Sequence, residues 1–260
     1  MRILITNDDG IAAPGLKTLE HIARDLAGPD GDVWTVAPAF EQSGVGHCIS
    51  YARPFMIQTL APRRVAVEGS PADCVLAGLF QVMDEKPDLI LSGVNRGNNS
   101  AENALYSGTL GAAIEGALQG VLSIGISQYF GPGNRDLDDP FEAALTHGKQ
   151  VIERIVANTP KDQPDYQLFY NVNVPPVAAA DVKGINVVPQ GLRPGLRFHT
   201  EATTSPSGRQ FLWIKGGDQQ VQTAPATDAA VNLDGYISVT PMRADFTAHD
   251  MLDTLGAIAT

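Results

Sequence analysis

The chain has 260 residues, 43% of them apolar and 7% aromatic, enough for one large domain or for a core with an appendage. Its 29 acidic and 18 basic residues give a formal charge of −11. With no basic stretch to release counterions from a phosphate backbone, polymeric nucleic acid is excluded as the main ligand, and any small anion must be held by a metal ion or a helix N-terminus. No apolar run is long enough to span a bilayer, and the opening MRILITNDDG has neither the basic nor the apolar region of a leader, so the expectation is a cytoplasmic protein without a membrane partner. Cys48 and Cys74 have no CxxC partner and no histidine at zinc-finger spacing, and they read as reduced thiols.

Along the first half, strand and helix signals alternate. Residues 2–6 (RILIT) read as a buried strand ending in NDDG. Pro14 then opens a helix with Leu16, Leu19, Ile22, Ala23 and Leu26 on one face. Residues 32–37 (DVWTVA) and 64–67 read as strands, and Ser70-Pro71 caps a helix expected to run through Met83. The strand at 88–91 (DLIL) runs into a Gly/Asn-rich stretch, 92–100. Ser107 caps a small-residue helix to Gln119, and 122–127 is strand again. Residues 139–142 (DPFE) start a helix with Phe141, Leu145, Gly148, Ile152 and Ile155 on one side, and 167–174 (QLFYNVNV) closes the series.

This rhythm predicts a parallel sheet covered by helices on both faces, with the ligand site beyond the carboxyl ends of the strands. Asp8 and Asp9, Ser43 and Asn95 all fall there. From Pro175 onward, short alternating segments such as 209–215 (RQFLWIK) and 236–240 (YISVT) are separated by Gly, Pro, Ser and Asp. The organisation expected is a core over 1–174 and a β-rich extension over 175–260, made of hairpins and long loops and used in assembly rather than folding alone.

Asp8 and Asp9 are adjacent carboxylates after a buried strand. Like charges so close oppose joint ionisation, and a hard divalent cation resolves the conflict, with Ser hydroxyl and Asn carbonyl oxygens as suitable further ligands. Asp-Asp-Gly on its own also fits a plain turn. Ser107, Gly108 and Thr109 stand at a helix start, where free N–H groups and the dipole favour an anion. An ordinary capped helix would explain the small residues there, but not the polar loop before it. Glu41-Gln-Ser-Gly contains a possible ligand in Ser43 or only a turn, and His47 fits a structural role or a substrate contact. No GxGxxG, GxxxxGK[ST] or GxSxG motif is present. The DxD spacing of aspartyl-phosphate phosphatases is also missing, because Gly10 occupies its second position.

Together these segments resemble the SurE family, the stationary-phase survival protein E group of 5′/3′-nucleotidases. The resemblance is carried by ILITNDDGIAAPG (3–15), SGVGHCIS (43–50), EGSPADCV (68–75), SGVNRGNN (92–99), YSGTLGAAIEG (106–116), NVNVPP (171–176) and GYISVTP (235–241), in the family's order. It implies a Rossmann-like three-layer α/β/α core with a mainly parallel sheet and a C-terminal β-hairpin extension that joins subunits into a homodimer or homotetramer. It also implies one divalent cation per subunit, Mg²⁺ or Mn²⁺, held by Asp8, Asp9, Ser43 and Asn95, with Asp8 and Asp9 as the catalytic pair. Phosphate contacts would come from Asn99, Ser107, Gly108 and Thr109. The implied substrates are nucleoside 5′- and 3′-monophosphates and short polyphosphate. Gln42 stands where the family often has arginine, so that basic side chain is missing here.

Overall fold

In the first strand, Ile3 and Ile5 point into one apolar layer and Leu4 into the other, and Leu89, Ile90 and Leu91 repeat the alternation. A strand buried on both faces needs a helical layer on each side. The computed structural model, which describes residues 1–163, 166–194 and 198–259, has that arrangement. In chain order the elements are β1 (Arg2–Thr6), α1 (Pro14–Ala27), β2 (Asp32–Pro38), β3 (Ile57–Ala61), β4 (Arg64–Val67), α2 (Pro71–Ala77), β5 (Leu89–Arg96), α3 (Gly108–Leu118), β6 (Ser123–Gln128), α4 (Glu142–Asn158) and β7 (Phe169–Val174). They are followed by β8 (Ile185–Val187), β9 (His199–Thr204), β10 (Gln210–Lys215), α5 (Asp228–Leu233) and β11 (Ile237–Met242).

The main sheet has the order β3-β4-β2-β1-β5-β6-β7-β11-β8. Strands β4 through β7 in that order are mutually parallel, while β3 and β11 run against their neighbours β4 and β7. Helices α1 and α4 cover the face of Ile3 and Ile5, and α2 and α3 cover the face of Leu4. The chain winds outward from β1 in one direction and from β5 in the other. The gap beyond the ends of β1 and β5 is therefore the switch point at which such sheets bind ligands.

The helices follow the expected periodicity where a face is buried. Leu16, Leu19, Ile22 and Ala23 are all inside. Helix α2 carries a full capping box between Ser70 and Asp73. It loses its α-form at Gly78, whose missing side chain lets the helix lie against Leu4, and continues to Val82 as a wider turn. In α4, Leu145 is exposed although its spacing predicts it inside. Strand β5 continues past Leu91 to Arg96 through an irregularity between Ser92 and Asn95. Part of the stretch expected as loop is thus strand, and a bulge at this place re-aims the residues beyond it.

The stretch after Pro175 differs most from expectation. It divides in two. Strands β8 and β11 complete the main sheet, with Ile237, Ser238 and Val239 buried between β7 and β8, so the sheet crosses the expected boundary at 174/175. Strands β9 and β10 form a separate hairpin whose residues are exposed. Residues 195–197 and 260 of the expected extension lie outside the described residues. No described helix is long and apolar enough to cross a membrane.

Candidate active site

Four loops meet at the switch point. The loop after β1 is shaped by Asn7, which is fully buried: its side chain donates to the carbonyl of Gly10 (2.9 Å) and accepts the Gly10 N–H (3.2 Å). Gly10 sits at φ +100°, a conformation that a side chain would strain. The turn lifts Asp8 and Asp9 off the strand end in fixed positions.

Asp8 is only 4% exposed. Its Oδ1 accepts a 2.6 Å hydrogen bond from the hydroxyl of Thr109 in the first turn of α3. Gly108 permits the approach, since a side chain there would begin 2.9 Å from the Asp8 Cβ and 3.2 Å from the Gln42 carbonyl oxygen. Gln42 in turn donates its N–H to the carbonyl of Asp8 (2.7 Å), which brings the Ser43 loop alongside. Burial pushes the Asp8 carboxyl up to about 6; the Thr109 hydroxyl works against that rise and the neighbouring Asp9 charge adds to it. Asp9 is less buried. Its Oδ2 accepts the N–H of Arg96 at the end of β5 (3.0 Å), and its affinity for a proton is raised by burial first and by Glu41.

Neither carboxylate has an ion pair with a Lys, Arg or His among the described residues. No third His, Cys, Asp or Glu completes a cluster with them there. A cation bound at this point would be held by the two carboxylates and by neutral oxygens. Ser43 is exposed and donates to Glu41 (2.7 Å). Asn95 donates its amide to the carbonyl of Gly97 (3.0 Å), which leaves its side-chain oxygen as a donor atom. The donor set is all oxygen and suits a hard divalent ion.

The phosphate contacts expected from sequence are placed unevenly. Ser107 is the N-cap of α3, with its hydroxyl accepting the N–H of Leu110 (3.1 Å), and Gly108 leads the first turn at the Asp8 side chain. The Thr109 side chain is fully buried and committed to Asp8, so it acts on that carboxylate and not on a ligand oxygen. Asn99 is buried too. Its amide donates to Ser127 (2.8 Å), its N–H to Asn173 (2.7 Å), and its carbonyl accepts from Asn171 (2.9 Å). In this structure it is a strut for the loop. A long-range neighbour pulled it inward, which local composition does not reveal.

Three further residues shape the site: Glu41 and Arg193 carry no role in the sequence reading, and His47 takes the structural one of its two expected roles. Glu41 meets Ser43 and repels Asp9. His47 pairs with Glu115 of α3 (2.7 Å), fastening the Ser43 loop to the helix, and this contact is the main reason that the Glu115 carboxyl lies below its usual range. Arg193, buried, donates to Ser100 and Asn98 and so fixes the loop before α3.

The model of the family described as "Survival protein SurE" matches residues 3–195, which include every residue of this site. The chain belongs to the SurE family. Its relatives include proteins named 5′-nucleotidase SurE from Ruegeria pomeroyi, 69% identical over 99% of both chains, and from Roseobacter denitrificans, 66% identical over 100% of both. Among solved structures, the SurE protein of Aquifex aeolicus superposes with a TM-score of 0.81 at 31% identity, covering 100% of both chains. The SurE likeness thus extends past the matched residues through β9, β10 and β11.

Proposed function

We propose that this chain is a 5′-nucleotidase, a phosphoric monoester hydrolase that releases phosphate from nucleoside monophosphates with one divalent cation, Mg²⁺ or Mn²⁺, held by Asp8, Asp9, Ser43 and Asn95. The observation that carries this reading is an acidic pair, Asp8 buried and Asp9 partly buried, without a basic partner among the described residues and set against the N-terminus of α3 at the switch point of a parallel sheet. The names of the relatives agree with it. Such a cation, when bound, polarises a phosphoryl oxygen and makes water a better nucleophile. Ser107 and Gly108 turn the first N–H groups and the positive dipole end of α3 toward a phosphoryl group. Thr109 keeps Asp8 in one orientation. Asp9, with Oδ1 unengaged among the described residues, is placed to accept a proton from the attacking water. The test is phosphate release from AMP, GMP, a 3′-monophosphate and short polyphosphate, with and without Mn²⁺ or Mg²⁺. Turnover of the 5′-monophosphates only with the ion is expected, and none with either ion overturns the reading.

The Asp8 environment sets a pH dependence. With its ionisation centred at about 6, roughly one Asp8 in ten is charged at pH 5. Because the cation binds the charged form, Mn²⁺ affinity measured by calorimetry should fall about tenfold between pH 7 and pH 5. Thr109→Val removes the hydrogen bond that favours the charged carboxylate, so the fall should begin at higher pH. A flat affinity from pH 5 to 7 in the parent protein would remove Asp8 from the ligand set.

The exposed apolar residues of β10 in the β9–β10 hairpin and those of the C-terminal stretch are covered, in this reading, by a second copy of the chain, giving at least a homodimer.

A further inference from the structure

The loop that carries Ser43 has no buried residue from 43 to 50. Burial of apolar surface therefore does not place it, and hydrogen bonds to neighbouring elements must. On the α3 side, Gly46 donates its N–H to the carbonyl of Tyr106 (3.0 Å), and His47 pairs with Glu115 (2.7 Å). Gly111 of α3 permits this approach, because a side chain there would begin 2.2 Å from the Gly46 carbonyl oxygen.

On the α2 side the loop meets Asp73. This carboxylate is 1% exposed and has no ion pair with a Lys, Arg or His among the described residues. Its Oδ2 accepts the N–H of Ser70 (2.8 Å), which closes the capping box and is all that the helix asks of it. Yet Oδ1 also accepts the N–H of Ser50, and Oδ2 the Ser50 hydroxyl, each at 2.8 Å. The Ser70 hydroxyl in turn donates to the carbonyl of Cys48. A buried carboxylate without a cation is costly unless donors surround it, and two of the three donors here come from the loop. The segment EGSPADCV (68–75), which lies outside the proposed cation and phosphate sets, thus ends on the Ser43 loop.

We propose that Asp73 of α2 and the His47–Glu115 pair of α3 form a two-sided clamp that positions Ser43 in the cation site and biases that site toward Mg²⁺ against Ca²⁺. The proposal rests on the cation reading and adds the residues that set its geometry. Asp73 is a positioning residue: it acts on the cation only through the loop. Mg²⁺ demands near-ideal octahedral oxygens at about 2.0–2.1 Å, whereas Ca²⁺ accepts irregular ones at about 2.3–2.6 Å. A ligand fixed in place therefore favours Mg²⁺, and loosening it costs Ca²⁺ less.

The test is Mg²⁺ and Ca²⁺ affinity of the full chain by calorimetry, with thermal melts beside it. Asp73→Asn turns one acceptor oxygen into a donor facing donors, and His47→Ala releases the other side. Each should weaken Mg²⁺ about tenfold or more and Ca²⁺ distinctly less, so that the ratio of the two affinities drops. Ser50→Ala, which leaves the capping box of α2 intact, should do the same to a smaller extent, and it decides the question on the α2 side if Asp73→Asn fails to fold. In a Ser43→Ala background, Asp73→Asn and Ser50→Ala should change Mg²⁺ affinity no further, because the ligand they position is gone. A loss of the same size in both backgrounds is a general structural effect and overturns the proposal. So does an unchanged affinity ratio in the folded clamp variants, or a Ser43→Ala variant that binds Mg²⁺ as the parent does. A parent protein that binds neither ion overturns the cation reading itself and this proposal with it.

Discussion

Asp8→Asn and Asp9→Asn should each lower phosphate release from AMP about a hundredfold or more at saturating Mn²⁺, while the protein stays folded. Both side chains lie at a strand end and serve no apolar core. An amide keeps the acceptor oxygen that Thr109 or Arg96 uses but gives up the charge that draws the cation. The effect on stability should run the other way. Folding raises the Asp8 carboxyl from 3.8 to about 6, so the folded chain binds the proton more tightly than the unfolded chain. Metal-free protein therefore loses stability as pH climbs from about 4 through 6, and above that the penalty is complete. A shift of about two units corresponds to at most about 3 kcal/mol, which Asp8→Asn removes at pH 7. Thermal melts without metal should show the variant as stable as the parent or more so. Near-normal turnover in either variant would remove the acidic pair from the mechanism.

The acidic pair was legible because strand ending, turn and charge coincide within a few residues: RILIT buries itself, and NDDG cannot continue it. The parallel core was legible for a similar reason, since Leu16, Leu19, Ile22 and Ala23 repeat at the period that the buried face of α1 requires. What failed to show is long-range. The alternation in YISVT is the same for a hairpin strand as for a strand inside a sheet, and only pairing with Asn171 and Asn173 of β7 distinguishes them. Helix α5 is six residues long, too short to display a helical period. It is anchored by Asp228, whose carboxylate accepts N–H groups from Ala101 and Gly191. Strand β3 is an exposed edge with no buried face to pattern it. Arg193 is a single basic residue in a Gly/Pro-rich stretch, and its partners lie more than ninety positions upstream. For Thr109 and Asn99, position marked them as polar residues near a ligand, but burial decided that their side chains hold other protein groups.

The placement of β11 changes what truncation should do. Removing residues 235–260 takes a strand out of the main sheet, exposes β7 and β8, and withdraws the buried Ile237 and Val239. Each such side chain contributes about 1.5–3 kcal/mol on burial, against a net stability of about 5–15 kcal/mol for a whole domain. With the strand's ladder hydrogen bonds also lost, this truncation should yield insoluble or unfolded protein and report nothing about assembly. Ending the chain after Met242 is the informative cut, because β11 is kept and the residues removed include the exposed Phe246, Leu252, Leu255 and Ile258. The hairpin offers a second handle. Phe211 and Trp213 project from one face of β10, Leu212 and Ile214 from the other, and all four are exposed. A two-stranded ribbon in which one strand exposes apolar side chains on both faces is marginal in water unless something packs on it. We expect light scattering at micromolar concentration to give the parent protein at least twice the mass of one chain. Leu212→Glu combined with Ile214→Glu should reduce that to a single chain, since two carboxylates cannot be buried unpaired in an interface. The circular dichroism of the main sheet should survive, because the hairpin forms a separate sheet from β1 through β7. A parent protein that scatters as a monomer would show that the hairpin stands free, and the assembly reading would fall even with the nucleotidase activity intact.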